Sequence, residues 1–269
     1  MSEKTGFTLV ELLVVIAIIA LLLAVLMPSL TLAKSKAHGT VCQAQLNQFL
    51  MAHHAYADDN DDGLVGGNTD KRIAKDSPWS YSWVTPPQEE DGTVLPDDQV
   101  PTLEQEIRGI VGGYLYPYVK DIKLYRCKGA KEKKFGGGYR SYSITGLMNG
   151  EYAVPRSRGG YPDLAVTKRT QINRPATKVV FLENTDSRGW NMGSWVMDVM
   201  GLSWVDPLVI WHAGSSSLGF ADSHVESHKW LSKSTEILFK QQAWGLNPDD
   251  YDADRRDIQY MHKAFLPKW

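Results

Sequence analysis

The chain has 269 residues, 43% of them apolar and 22% charged, with a formal net charge of −2 at pH 7. That length suits one large domain or two small ones, and the composition is that of an ordinary globular protein. A chain this close to neutrality lacks the basic footprint of a nucleic-acid binder, so nucleic acid is not expected among its partners.

The average hides a steep asymmetry. Residues 7–27 carry a single charge, Glu11, and one other polar residue, Thr8. A run of about 20 apolar residues crosses a hydrocarbon core of about 30 Å as a helix. The segment is apolar all round, unlike an amphipathic helix lying on a soluble core. A secretory signal would end at a small-x-small site, but Met27 is followed by Pro28-Ser29-Leu30. Glu11 is the informative residue, because a carboxylate inside a span costs a few kcal/mol unless it meets a cation.

The junction Lys4-Thr5-Gly6-Phe7-Thr8-Leu9-Val10-Glu11-Leu12-Leu13 resembles the leader of type IV prepilins and type II secretion pseudopilins, and the resemblance runs to about Pro28. It implies that prepilin peptidase cuts between Gly6 and Phe7 and methylates the new Phe7 amine. It further implies that Glu11, the fifth residue after the cut, pairs with the Phe7 amine of a neighbouring subunit. In low dielectric the two charges would offset each other's burial cost. Pro28 matches a helix-bending proline of many pilins. The implied layout is a leader at 1–6, a transmembrane and assembly helix at 7–28, an amphipathic stalk helix at 29–57 and an extracytoplasmic globular head at 58–269. Lys34 and Lys36 mildly oppose this orientation by the positive-inside rule. The leader motif decides it, because its peptidase acts from the cytoplasmic side. The resemblance thus implies a single pass of the bacterial inner membrane, a short cytoplasmic N-terminus, a periplasmic head and passage to the cell surface on assembly.

No proline occurs between Pro28 and Pro78, and apolar residues recur at three- and four-residue spacings through Leu46, Phe49, Leu50 and Ala57. The helix should therefore continue to about Ala57. The stretch Cys42-Gln43-Ala44-Gln45-Leu46-Asn47-Gln48-Phe49 resembles the segment after the span in a large bacterial subfamily of these proteins. Then Asp58-x-Asn60-x-Asp62-Gly63 fits the first half of an EF-hand loop, but Thr69 stands where the bidentate Glu belongs. Two readings stay open: a solvated acidic turn, or a Ca2+ site on Asp58, Asn60 and Asp62 completed by other loops. No cofactor is required.

An exported chain with two cysteines often pairs them. A Cys42–Cys127 disulfide would tie the head to the rod, while two separate buried thiols are the alternative. No Cys/His cluster is close in sequence, so a metal at the cysteines is not expected.

In the head, Thr102 caps a helix predicted over Leu103–Val111, which Gly112-Gly113 stops. Lys178–Glu183 and Leu218–Ala221 read as buried strands, Val225–Trp230 as a pairing partner, and Ser234–Gln241 as a short helix. The fold class is α+β, a long N-terminal helix packed on a head with an antiparallel β-sheet. The nine Trp and twelve Tyr fill its core or line a glycan surface. His212 and Asp222 resemble a C-terminal signature of prepilin-type proteins, His, nine residues, Asp-Gly, with Ser223 in place of the glycine. A hairpin with His212 hydrogen-bonded to Asp222 accounts for them. A ligand site that adds His224 and His228 is the alternative.

The resulting expectation is a structural, non-enzymatic subunit of a type IV pilus-like or type II secretion pseudopilus filament. Its partners would be prepilin peptidase, other pilin or pseudopilin subunits and inner-membrane lipid. The rivals are a minor or tip module that binds glycan or a secreted substrate, and a membrane-tethered metal-dependent enzyme.

Overall fold

The computed structural model describes residues 8–69, 81–96, 99–130, 139–184, 194–241, 245–250 and 253–269. Gly6 and Phe7 lie outside the described residues. Helix α1 spans Leu9–Asp59 and runs through Pro28 without interruption. Its 51 residues give a rod of about 75 Å at 1.5 Å per residue. The helix ends at Asp59, two residues beyond the expected Ala57, and Asp61 and Asp62 take positive φ, which short polar side chains tolerate.

Helix α2 covers Leu103–Val111 as expected, with Thr102 and Gln105 forming a reciprocal capping box. Helix α3 (Tyr116–Val119) follows at once. Helix α4 (Lys233–Gln241) lies one residue from its expected start, and α5 (Arg256–Phe265) was not legible in the sequence. The strands are β1 (Tyr142–Thr145), β2 (Val179–Glu183), β3 (Ser194–Trp195), β4 (Ser215–Phe220) and β5 (Val225–Lys229). They form a five-stranded sheet in the order β3-β1-β2-β4-β5.

Three of the pairings are antiparallel, but β3 joins β1 in parallel, so the sheet is mixed rather than antiparallel throughout. The edge strand β3 is two residues long, and its Trp195 is buried, donating from the indole nitrogen to the Pro207 carbonyl at 3.2 Å. Core packing, not a hairpin turn, sets its direction.

The sheet separates two cores. On one face α1 lays Leu46, Phe49 and Leu50 against Trp83, Tyr125, Tyr142, Ile144 and Phe181. Phe49 sits at the centre of this aromatic group, 4.8 Å from the Tyr125 ring and 5.7 Å from Phe181. The helix comes close because β4 offers it a glycine: a Cβ on Gly219 would stand 3.0 Å from Leu50 Cδ1. On the other face Leu182, Leu218 and Phe220 pack with Trp195, Trp204, Trp230 and residues of α4 and α5.

Candidate functional site

Two regions carry the candidate residues: the free end of α1 and the joint where α1 meets the head. Residues 8–34 of α1 are exposed. By length and composition α1 is the one helix among the described residues long and apolar enough to cross a membrane. At its start Glu11 Oε2 accepts from the Thr8 amide at 2.8 Å and from the Thr8 hydroxyl at 2.7 Å. The amide of Glu11 in turn donates to Thr8 Oγ1. Oε1 has no partner among the described residues. Glu11 is thus held by its own helix end, with one oxygen to spare.

From Ser35 onward the helix is fastened to the head by polar contacts. Ser35 Oγ donates to the Trp211 carbonyl at 3.1 Å. Gln45 Nε2 donates to the carbonyls of Lys123 and Arg126 at 3.1 and 3.2 Å, and the Tyr142 hydroxyl donates to Gln45 Oε1 at 2.8 Å. Gln45 is therefore satisfied although it is buried, as a polar group in a core must be. Cys42, one helical turn earlier, forms a disulfide with Cys127 at a Cα–Cα distance of 5.6 Å.

Two further side chains close on that disulfide. His212 Nε2 lies 2.7 Å from Glu183 Oε1 and 3.4 Å from Cys127 Sγ. The other oxygen of Glu183 accepts the Ser217 amide at 2.8 Å. Both side chains are buried, at 2% and 0% exposure. Space for the imidazole comes from Gly39 and Gly129, where a Cβ would stand 3.2 Å from His212 Cβ and 2.5 Å from His212 Cε1. Burial resists charging of the ring, but the Glu183 hydrogen bond and charge, with the Ser35 backbone, outweigh it and raise the His212 pKa. Nδ1 is buried and makes no well-formed hydrogen bond.

Asp222 is not the partner of His212. The two residues lie at opposite ends of β4, whose six residues alone span about 20 Å. Asp222 instead accepts from the His224 amide at 3.1 Å and lies 2.5 Å from His224 Nδ1. His228 stacks on the Tyr260 ring, 3.9 Å between centroids. The histidines and Asp222 therefore do not assemble into one site. The β4–β5 turn is a three-residue loop closed by Phe220 N to His224 O and Ser223 N to Phe220 O, each at 3.0 Å. Ser223 holds φ +76° in it, the left-handed position that usually falls to glycine in such loops.

At the exit of α1 a guanidinium lies between the acidic side chains. Arg169 contacts Asp58 at 2.7 Å and Asp62 at 2.9 Å, and the Thr170 amide donates to Asp62 Oδ2 at 2.9 Å. The Thr170 hydrogen bonds, seconded by Arg169, hold the Asp62 carboxyl below the usual carboxylate range. Asn60 donates from its side-chain amide to the Tyr56 carbonyl. Beside this turn His53 is buried against Phe181, and burial first, then His54 and Arg169, lower its pKa to about 3.

The sequence reading missed Glu183, Gln45 and Arg169. Glu183 left a trace, since an acidic residue ending the apolar strand Val-Val-Phe-Leu-Glu needs a buried partner.

A free apolar rod with one carboxylate near its tip, fastened to a mixed α+β head, is the architecture of a pilin-like subunit. Comparison with known proteins agrees at the N-terminal end. Residues 1–27 match the family model of the prokaryotic N-terminal methylation motif. A stretch of 60 residues is 50% identical to the type IV wide pilus major component PilA4 of Thermus thermophilus. It takes in 22% of this chain and 46% of that protein, so the match covers about half of the relative's length. No solved structure matches the chain. At its N-terminal end the chain is thus similar to type IV prepilins.

Proposed function

We propose that the chain is a structural subunit of a type IV pilus-like or type II secretion pseudopilus filament, processed by prepilin peptidase between Gly6 and Phe7. The observation that carries this reading is the free half of α1, apolar on every side and exposed from residue 8 to 34. Such a surface is stable only in lipid or against other copies of itself. Both environments serve in turn: the inner membrane before assembly, and a bundle of like helices after it. Glu11 sets the register of the bundle. Its capping box with Thr8 fixes the carboxylate, and Oε1 takes the methylated Phe7 amine of a neighbour.

The aromatic head supports the structural role over glycan capture, because Trp83, Trp195, Trp204 and Trp230 are buried. A catalytic role draws no support from His212, Asp222, His224 and His228, which are divided among separate partners. Mass spectrometry of the chain from peptidase-positive membranes, with sedimentation and imaging of filaments from the same cells, tests the reading. A mature N-terminus at methylated Phe7 and subunits within filaments are expected. Intact Met1 together with a head that never enters a filament would overturn it.

A further inference from the structure

The helix–head joint brings together four metal-binding side chains from four places in the chain: Cys42 on α1, Cys127 after the turn Ile122–Tyr125, Glu183 at the end of β2 and His212 ahead of β4. All four are buried, and one ligand atom of each lies within 4.8 Å of all the others. Cys127 Sγ stands 3.4 Å from His212 Nε2 and 3.6 Å from Glu183 Oε1. A tetrahedral zinc ion with thiolate ligands near 2.3 Å and nitrogen or oxygen ligands near 2.1 Å holds its ligand atoms roughly 3.3–3.8 Å apart. The two Cys127 distances already have that spacing, while the His212–Glu183 pair, at 2.7 Å, and the bonded sulfurs would open to admit the ion.

A disulfide needs only the two sulfurs. Burying a carboxylate and an imidazole beside it is costly and adds nothing to the bond itself. The surroundings are those of a ligand set. The Ser217 amide fixes Oε2 of Glu183 and leaves Oε1 aimed at the cluster. The Gly129 amide donates to Cys127 Sγ at 3.2 Å, which favours a thiolate there.

We propose that, when its cysteines are reduced, the joint is a zinc site made of the Cys42 and Cys127 thiolates, His212 Nε2 and Glu183 Oε1. Disulfide and metal are then alternative fastenings of the same helix to the same head. Metal binding moves no electrons, since the two thiols release their protons to water as zinc enters. Conversion to the disulfide passes two electrons from the thiolates to an external disulfide oxidant, which becomes a dithiol, and Zn2+ leaves with its charge unchanged.

The test uses the full chain in detergent, oxidised or reduced with a phosphine, and Co2+ as the optical probe. The reduced chain should take up one Co2+, giving a thiolate-to-cobalt band in the near ultraviolet and tetrahedral bands in the visible, and Zn2+ should displace it. The oxidised chain should give none of these. Glu183→Gln and His212→Gln should each weaken cobalt binding by at least the roughly tenfold that loss of a residue supporting a ligand costs, since each alters a ligand itself. Because these buried variants can misfold, wild type carries a second measurement. One equivalent of Zn2+ should slow oxidation of the reduced chain by diamide, and a colorimetric chelator should register zinc release as the disulfide forms. The proposal is overturned if the reduced chain binds no Co2+, if the spectrum lacks the thiolate band, if oxidised and reduced chains bind alike, or if zinc leaves the oxidation rate unchanged.

Discussion

Asn47, on the outer turn of α1, donates its side-chain amide to the carbonyl of Ser223 at 3.1 Å, clamping the β4–β5 turn to the helix at its one left-handed residue. The turn is therefore held from outside in a conformation its own sequence resists. A non-glycine residue in that region costs about 1–2 kcal/mol, and the extra freedom of glycine in the unfolded chain returns about 0.4–1 kcal/mol of that.

Ser223→Gly should accordingly stabilise the chain by about 0.5–1 kcal/mol. Denaturant unfolding in detergent, followed by tryptophan fluorescence, measures this. A neutral or destabilising result would mean that the serine hydroxyl contributes something that the backbone geometry does not reveal.

The acidic turn gives the second prediction. Arg169 already supplies positive charge between Asp58 and Asp62, so a calcium ion on Asp58, Asn60 and Asp62 would have to displace it. Millimolar calcium should leave the melting temperature of wild type nearly unchanged, and a calcium-dependent rise should emerge in Arg169→Gln, because a ligand bound only to the folded state stabilises it. Thermal melts with calcium and with chelator decide this. A rise in wild type that Asp62→Ala removes would reverse the conclusion and make the turn a working calcium site.

His53 gives the third, through pH. Its folded-state pKa is lowered from the ordinary 6.5 to about 3 by burial, with His54 and Arg169 adding to the effect. A group of this kind favours folding above its unfolded pKa. As pH falls from 6.5 towards 3 the unfolded chain takes up a proton that the folded chain refuses, at a cost of at most about 1.4 kcal/mol per pH unit. Replacing His53 by Leu should flatten the loss of stability across that window and leave the curve above pH 7 with its original slope. Unfolding free energies at half-unit steps from pH 4 to 8 are the measurement. Parallel curves for the two proteins would show that His53 does not drive the acid response.

The long helix was legible because both of its halves speak in composition and period: unbroken apolar residues first, then a stripe at helical spacing that the head buries. Helix α2 was legible for a different reason, the Thr102–Gln105 capping box, a local signal that needs no tertiary partner. The joint was legible only in its disulfide, since an exported chain with two cysteines often pairs them and Cys42 and Cys127 are paired; the buried Glu183–His212 pair beside it was not. Its four side chains are spread from Cys42 to His212, and only the sheet order, which sets β2 beside β4, brings Glu183 to His212. Nearness in sequence even misled, since His212 and Asp222 sit on the same hairpin yet at opposite ends of one strand. The edge strand β3 was hidden for want of length, two residues being too few for any alternation to register.

The last prediction concerns Glu11. Its carboxylate is engaged by Thr8 within its own helix, so Glu11→Ala removes the reciprocal half of the capping box and a charge together, while the Thr8 hydroxyl still accepts from the backbone amide at position 11. Losing that half costs less than the roughly 0.5–2 kcal/mol of losing the N-cap residue itself, which an apolar span in lipid tolerates, and losing the charge makes insertion easier. Membrane insertion and cleavage after Gly6 should therefore persist. Assembly should not, because a neighbour's Phe7 amine would then be buried without its partner, at about 3–5 kcal/mol for a pair broken in a buried setting. Glu11→Gln separates the two roles. It keeps an acceptor for the Thr8 amide and hydroxyl but carries no charge, so it should restore the full capping box and still fail to assemble. Glu11→Asp, charged but one methylene shorter, should fall between wild type and alanine. Cleaved product and sedimentable filament, measured for all four proteins in the same cells, give the answer. Full assembly of Glu11→Gln would mean that hydrogen bonding, and not charge pairing, sets the register, and normal filaments from Glu11→Ala would remove Glu11 from the assembly mechanism altogether.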